Sequence, residues 1–207
     1  MRKKAASLND SVPRKKNDLY LKRQMQITKK AMKLFIKKGY AQTSMREISN
    51  ATGIDISNLY YFIKSKDEIL FRVFDRIHKQ EMEPFEKQEI RSIDDPVEQL
   101  RTIIQKLLDH AYDYKDEILL IYREAKSLPK SALKNILGRE SHYINLIEEI
   151  LKKGKARNYF HFEDASFVAN KIVFEFALYP LRSWNLKKYS KEELASLLET
   201  DIMKTIM

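Results

Sequence analysis

The stretch TSMREISNATGIDISNLYYFIKSKDEIL, residues 43–70, decides how this chain folds. Ser44 is followed three positions later by Glu47, a pairing in which hydroxyl and carboxylate satisfy each other's backbone N–H groups at a helix start. Met45, Ile48 and Ala51 then recur at helical spacing as an inward face, and Thr52-Gly53-Ile54 breaks the helix. Asp55 caps a third short helix to about Phe62, and Ser65 with Glu68 repeats the capping pair at the head of a long fourth one. Helix, glycine-containing turn, helix is the geometry that sets a second helix into the major groove of DNA.

The side chains in this stretch suit that task. Thr43 and Ser44 carry hydroxyls at a helix N-terminus, within reach of phosphate oxygens. Arg46 is long enough for a base edge or a phosphate, and Asn58 can read adenine or hold backbone. Tyr60, Tyr61 and Lys66 complete a phosphate-facing row. Any one of these alone reads as a core aromatic or a solvated lysine.

Charge decides in favour of the set. Of 39 basic and 29 acidic side chains in 207 residues, residues 1–66 hold 16 basic and 4 acidic, a balance of +12. The rest of the chain stands at −2, so the excess positive charge belongs to a small nucleic-acid-binding unit joined to a larger, near-neutral one. Upstream, Ile27, Ala31, Leu34 and Phe35 give an amphipathic helix that stops near Gly39, with lysines over its other face. Residues 1–19, with Arg2-Lys3-Lys4 and Arg14-Lys15-Lys16 around Pro13, read as a flexible basic arm. Residues 20–66 then form the DNA-binding domain and 67–207 a second, larger domain.

The chain resembles the tetracycline-repressor (TetR) family of bacterial regulators over residues from about 20 to 70. The resemblance runs through Leu34-Phe35, Gly39-Tyr40, Thr43-Ser44, Arg46-Glu47-Ile48, Ala51, Gly53, Leu59-Tyr60-Tyr61 and Lys64 to Leu70, in order and without gaps. It implies a homodimer that grips a palindromic DNA operator and a C-terminal domain whose small-molecule ligand releases the DNA. Carried onto this sequence, it gives Thr43, Ser44, Tyr60 and Lys66 to phosphates and Arg46 with the helix from Asp55 to Tyr61, including Ile56, Ser57 and Asn58, to bases. Phe62 and Ile63 depart from the family pattern, which removes one polar backbone contact. Ile56 stands where a polar residue is common and suits a thymine methyl.

Downstream, helices are expected at roughly 65–90, 95–113, 116–126, 130–154, 163–185 and 190–206, so the chain reads as all-α. Ala165 to Leu181 is apolar nearly all round and calls for burial on two sides, one in its own domain and the other against a second copy, the alternative being the central helix of a monomeric bundle. Phe167, Ile172 and Phe176, with Leu194, Leu198 and Ile202 from the last helix, are the expected dimer contacts. The segments around Tyr122-Arg123-Glu124-Ala125 and Trp184 look like the acyl-CoA-responsive branch of the family. On that likeness a hydrophobic or acyl-CoA-like effector meets Tyr122, Tyr143, Phe174 and Trp184, with Arg123, Arg139 or Arg182 for its phosphates.

Other classes fare worse. Cysteine is absent, which removes thiolate metal sites, disulfides and thiol nucleophiles. Asp109-His110 with Asp113 is the nearest approach to a metal cluster and offers too few nitrogen or sulfur ligands, so no metal and no cofactor are expected. No phosphate-cradling glycine pattern and no nucleophile elbow occurs, and no catalytic residue is assigned. The absence of a long apolar run or a secretory signal leads to the expectation of a soluble cytoplasmic protein with no membrane partner. The alternatives that keep the basic domain are a sequence-neutral DNA-coating protein and a binder of membrane surfaces.

Overall fold

The computed structural model describes residues 11–86 and 88–207, with side chains for 17–77 and 90–207. The chain divides into two compact units, with the boundary between Val73 and Phe74. All regular structure among the described residues is helical.

The first unit consists of α1 (Ser11–Lys38), α2 (Met45–Thr52), α3 (Ile56–Phe62) and the first turns of α4 (Lys66–Glu86). Ile27, Ala31 and Phe35 of α1, Ile48 of α2, Leu59 of α3 and Ile69 with Leu70 of α4 are wholly buried. Removing each Ile, Leu or Phe side chain from water stabilises the fold by about 1.5–3 kcal/mol. Gly39 and Gly53 take φ of +90° and +70°, the left-handed region where other residues are strained, and so end α1 and α2.

Helix α1 begins at Ser11, inside the stretch read as a flexible arm; residues 1–10 of that arm lie outside the described residues. Pro13 does not prevent the helix, because a first-turn N–H has no intrahelical acceptor to lose. One turn above Gln24, Tyr20 sends its hydroxyl to the Tyr61 and Phe62 carbonyls at 3.3 and 3.4 Å, and Gln24 Nε2 donates to the Phe62 carbonyl at 2.6 Å. These polar groups extend the inward face beyond the apolar period that ends at Ile27.

The second unit contains the remainder of α4 with α5 (Gln88–Arg91), α6 (Pro96–Asp113), α7 (Lys115–Glu124), a short 3-10 turn at Ala125–Ser127, α8 (Lys130–Ala156), α9 (Ala165–Leu186) and α10 (Lys191–Ile206). Its core joins Leu100, Ile103 and Ile104 of α6, Ile147 and Leu151 of α8, Ala169 and Ile172 of α9 and Ile202 of α10. Phe160 closes against α8 at Gly154, where a Cβ would lie 2.0 Å from the ring. Pro180 sits inside α9, and Arg182 leaves helical geometry at φ −121°, ψ 17°, a break within the helix read as continuous to 185.

The apolar circumference of α9 divides between two environments. Ile172 and Phe176, with Leu194, Leu198 and Ile202 of α10, are buried in their own unit and cannot also face a second copy. Only Phe167 of the expected dimer contacts is exposed, at 72%. Phe174 and Leu178, at helical spacing on the same face of α9 as Phe167, also turn apolar side chains outward, and Leu197 of α10 is exposed as well.

Candidate nucleic-acid interface and effector cavity

Ser44 caps α2 in both directions: its hydroxyl accepts from the Glu47 N–H at 3.2 Å, and the Glu47 carboxylate accepts from the Ser44 N–H at 2.8 Å. Lys38 also pairs with Glu47. The Lys38 ammonium first, then the Ser44 donors, hold the Glu47 carboxyl at about 2 against an ordinary 4.5. Asp55 caps α3 by accepting from the Ser57 N–H at 2.9 Å. At the head of α4 the capping pair is modified, since Ser65 accepts from the Glu68 N–H at 3.1 Å while Glu68 accepts from the Lys64 N–H at 2.8 Å.

This frame points α3 outward. Leu59 and Ile63 anchor it, and Ser57, Asn58, Tyr60 and Tyr61 stand exposed along its outer side with Ile56 half-buried at its start. Arg46 and Ser44 are exposed on α2 and its cap. The inward face of α2 differs in one position from the expected one: Ser49 is buried, donating to the Ile54 carbonyl at 2.6 Å, and Ala51 is exposed. Tyr61 packs edge-on to Tyr20 with ring centres 5.7 Å apart, which fixes the orientation of an otherwise exposed ring.

Two expected phosphate contacts are placed differently. Thr43 is 1% exposed, its hydroxyl donates to the Gly39 carbonyl at 2.9 Å and its N–H to the Tyr40 carbonyl at 3.2 Å, so its donors serve the turn between α1 and α2. Lys66 is half-buried and donates to the Tyr40 and Ala41 carbonyls at 2.9 and 3.3 Å, leaving one N–H of its ammonium for a phosphate. A basic row that sequence reasoning left as a solvated face lies on α1, where Arg23, Lys29, Lys30 and Lys33 border a groove closed by Thr52 and Ile54.

In the second unit a cavity of about 130 Å³ opens between helices, lined by Ile77 of α4, residues of α6 and α7, Ile136, Glu140 and Tyr143 of α8, and Val173, Phe176 and Ala177 of α9. Of the residues read from sequence as effector contacts, Tyr122 and Tyr143 are in its wall. Arg123, Arg139, Phe174, Arg182 and Trp184 are not. Arg139 is held by Asp75 at 2.6 Å, Phe174 and Trp184 are 60% and 67% exposed, and Arg123 and Arg182 point to solvent. The polar members that sequence reasoning missed are His110 and Glu140. Burial pushes the Glu140 carboxyl up, and burial followed by the Glu140 charge pushes the Tyr122 phenol up.

Among the described residues no group of three or more His, Cys, Asp or Glu is placed to hold a metal ion. Of the residues considered from sequence, Asp109 is paired with Lys191 at 2.5 Å, and the His110 ring lies tilted at 4.9 Å from that of Tyr114. No helix among the described residues is long and apolar enough to cross a membrane.

Residues 27–73 match the family described as bacterial regulatory proteins, tetR family, and residues 93–174 match the tetracyclin repressor-like C-terminal domain, together more than half of the chain. The HTH-type transcriptional regulator HbdR of Aromatoleum sp. (strain CIB) is 25% identical over 186 residues, 86% of this chain and 80% of that protein. Among solved structures, AibR in complex with isovaleryl coenzyme A and operator DNA shares the fold at a TM-score of 0.74 and 22% identity, covering 86% of this chain and 96% of its own. The TetR family transcriptional regulator PfmR of Thermus thermophilus aligns at 0.77 and 21% identity, covering 86% and 97%.

Proposed function

The chain belongs to the tetR family of bacterial regulatory proteins, a non-catalytic class of ligand-responsive DNA-binding regulators, and on that premise we propose that it is a repressor. It binds a palindromic operator as a homodimer and leaves it when a small hydrophobic effector fills the cavity of the second unit. The observation that carries this reading is the outer side of α3, where Ser57, Asn58, Tyr60 and Tyr61 are exposed on a helix anchored by Leu59 and Ile63. In the reading, Asn58, Ser57 and Ile56 meet base edges, Arg46 meets a base or a phosphate, and Ser44, Tyr60, Tyr61 and Lys66 hold phosphates. Asp55 acts through its cap on α3, and Thr43 through the turn it stabilises.

In this reading the homodimer forms on the face of α9 that exposes Phe167, Phe174 and Leu178. Two-fold symmetry presents paired recognition helices to successive major grooves, about 34–36 Å apart. Release requires that the effector bind more tightly to the conformation whose recognition helices are wrongly spaced, since equal affinity for both states moves nothing. Helix α4 supplies the covalent link, carrying Lys66 at one end and Ile77 in the cavity wall.

An acyl-CoA-like effector draws support from the fold shared with AibR, solved with isovaleryl coenzyme A, and from a cavity sized for a short acyl group. The arginines expected at its phosphates do not line the cavity, so the small hydrophobic body is the part of the effector that we retain.

Selection of duplexes from a random pool, followed by native mass spectrometry of the complex, tests the proposal. An inverted-repeat consensus bound by two copies supports it. Enrichment without a consensus supports the DNA-coating alternative, and preference for anionic vesicles over DNA supports the membrane-surface one.

A further inference from the structure

The cavity in the second unit has a polarity of its own. Among the described residues that line it, Glu140 is the only one with a full formal charge, set among aliphatic side chains with His110 from α6, Tyr122 from α7, Tyr143 from α8 and the Phe176 ring from α9. No lysine or arginine is among them, and the neighbouring Arg139 is committed to Asp75 at 2.6 Å. On α8, residues 136, 140, 143, 147 and 150 lie along one inward stripe that is aliphatic or aromatic except for Glu140.

A carboxylate in such surroundings lacks the water that would solvate it, and any ligand that enters removes more. An apolar ligand offers no compensation. An acid would set a second carboxylate against the first, and like charges at close range disfavour each other. A cationic nitrogen compensates twice, through a charge-assisted hydrogen bond to Glu140 and through the faces of Tyr122, Tyr143 and Phe176. Size limits the rest of the molecule: a cavity of about 150 Å³ admits benzene, and this one is about 130 Å³.

We propose that Glu140 makes this cavity a site for a small apolar amine, with a body no larger than a single ring and its ammonium group on the Glu140 carboxylate. The proposal rests on the effector reading of the cavity and names the polar chemistry of the ligand that the reading leaves open.

The test is calorimetric titration of the full chain with benzylamine, benzyl alcohol, benzoate and isovaleryl coenzyme A as probes. Operator affinity is measured on the same preparation. Benzylamine should bind at least about tenfold more tightly than the alcohol or the acid. Glu140→Gln should abolish the preference for amine over alcohol while still binding the alcohol, which shows that the cavity is intact. Tyr143→Phe, which keeps the ring, should retain the preference. Tighter binding of benzoate or isovaleryl coenzyme A, no binding of benzylamine at millimolar concentration, or a preference unchanged in Glu140→Gln overturns the proposal. Any of these beside intact operator binding removes the amine inference alone, whereas loss of specific operator binding removes the regulator reading beneath it.

Discussion

Lys66 Nζ donates to the Tyr40 carbonyl at 2.9 Å while its ammonium stands 4.7 Å from the centre of the Tyr40 ring. The residue expected to hold a phosphate is thus also the clasp between α4 and the turn that precedes α2. Both roles use the same charge. Lys66→Ala should weaken binding to every duplex alike, lower the salt slope by about one, and cost about 1 kcal/mol of stability in the first unit. Affinity at several salt concentrations, with a melting curve, reads all three; an unchanged salt slope removes the phosphate role.

Asn58 is exposed on α3 with no backbone task inside the helix. Asn58→Ala should change base preference at particular operator positions, by about 1–3 kcal/mol for the preferred base, and leave random-duplex affinity unchanged. A uniform loss over all sequences would assign Asn58 to the DNA backbone instead.

The Glu47 carboxyl, held at about 2 by Lys38 and Ser44 against an ordinary 4.5, links the start of α2 to pH. A depressed acid contributes stability that is complete above its unfolded value and lost as pH falls through the folded one. The first unit should therefore weaken as pH drops from 4.5 toward about 2, and Glu47→Gln should flatten that part of the curve. Parallel curves for the two proteins in circular dichroism would contradict the assignment.

Gly154 faces the Phe160 ring so closely that a Cβ would lie 2.0 Å from it. Phe160 is buried and its ring has no flexible end to move aside. Gly154→Ala should destabilise the second unit by about 1–3 kcal/mol, the range for overpacked cores. Chemical denaturation checks this, and a melting point equal to that of the parent protein would show that the loop after α8 relaxes freely.

Phe174 and Leu178 lie outward on α9. Phe174→Glu or Leu178→Glu should leave each copy folded, convert the dimer to a monomer at micromolar concentration, and lose operator binding with it. Sedimentation together with circular dichroism separates this outcome from unfolding; a dimer that persists in both variants would place the interface elsewhere.

Much of the fold was legible because its signals are local. Ser44 with Glu47, Asp55, and Ser65 with Glu68 mark helix starts through side-chain geometry that needs no distant partner. What failed depends on partners far along the chain. Tyr20 and Gln24 extend α1 because their acceptors are carbonyls of residues 61 and 62, which no periodicity in α1 reveals. An apolar period likewise gives α9 two greasy sides without saying which is already filled: Ile172 and Phe176, which suit a dimer face by period alone, are buried in their own unit, while Phe174 and Leu178 stand outward. Arg139 suits a phosphate by its charge alone, and only the fold shows that Asp75, 64 positions away, already holds it. Glu140 does carry a sequence signal, being an acid on the inward stripe shared by Ile136, Tyr143 and Ile147.

The most direct measurement is the affinity of the dimer for its selected operator and for a scrambled duplex of equal length at one salt concentration. The regulator reading predicts a ratio of at least about 10³ in favour of the operator. Equal affinities at matched salt would contradict it and leave a basic domain that binds DNA by charge alone.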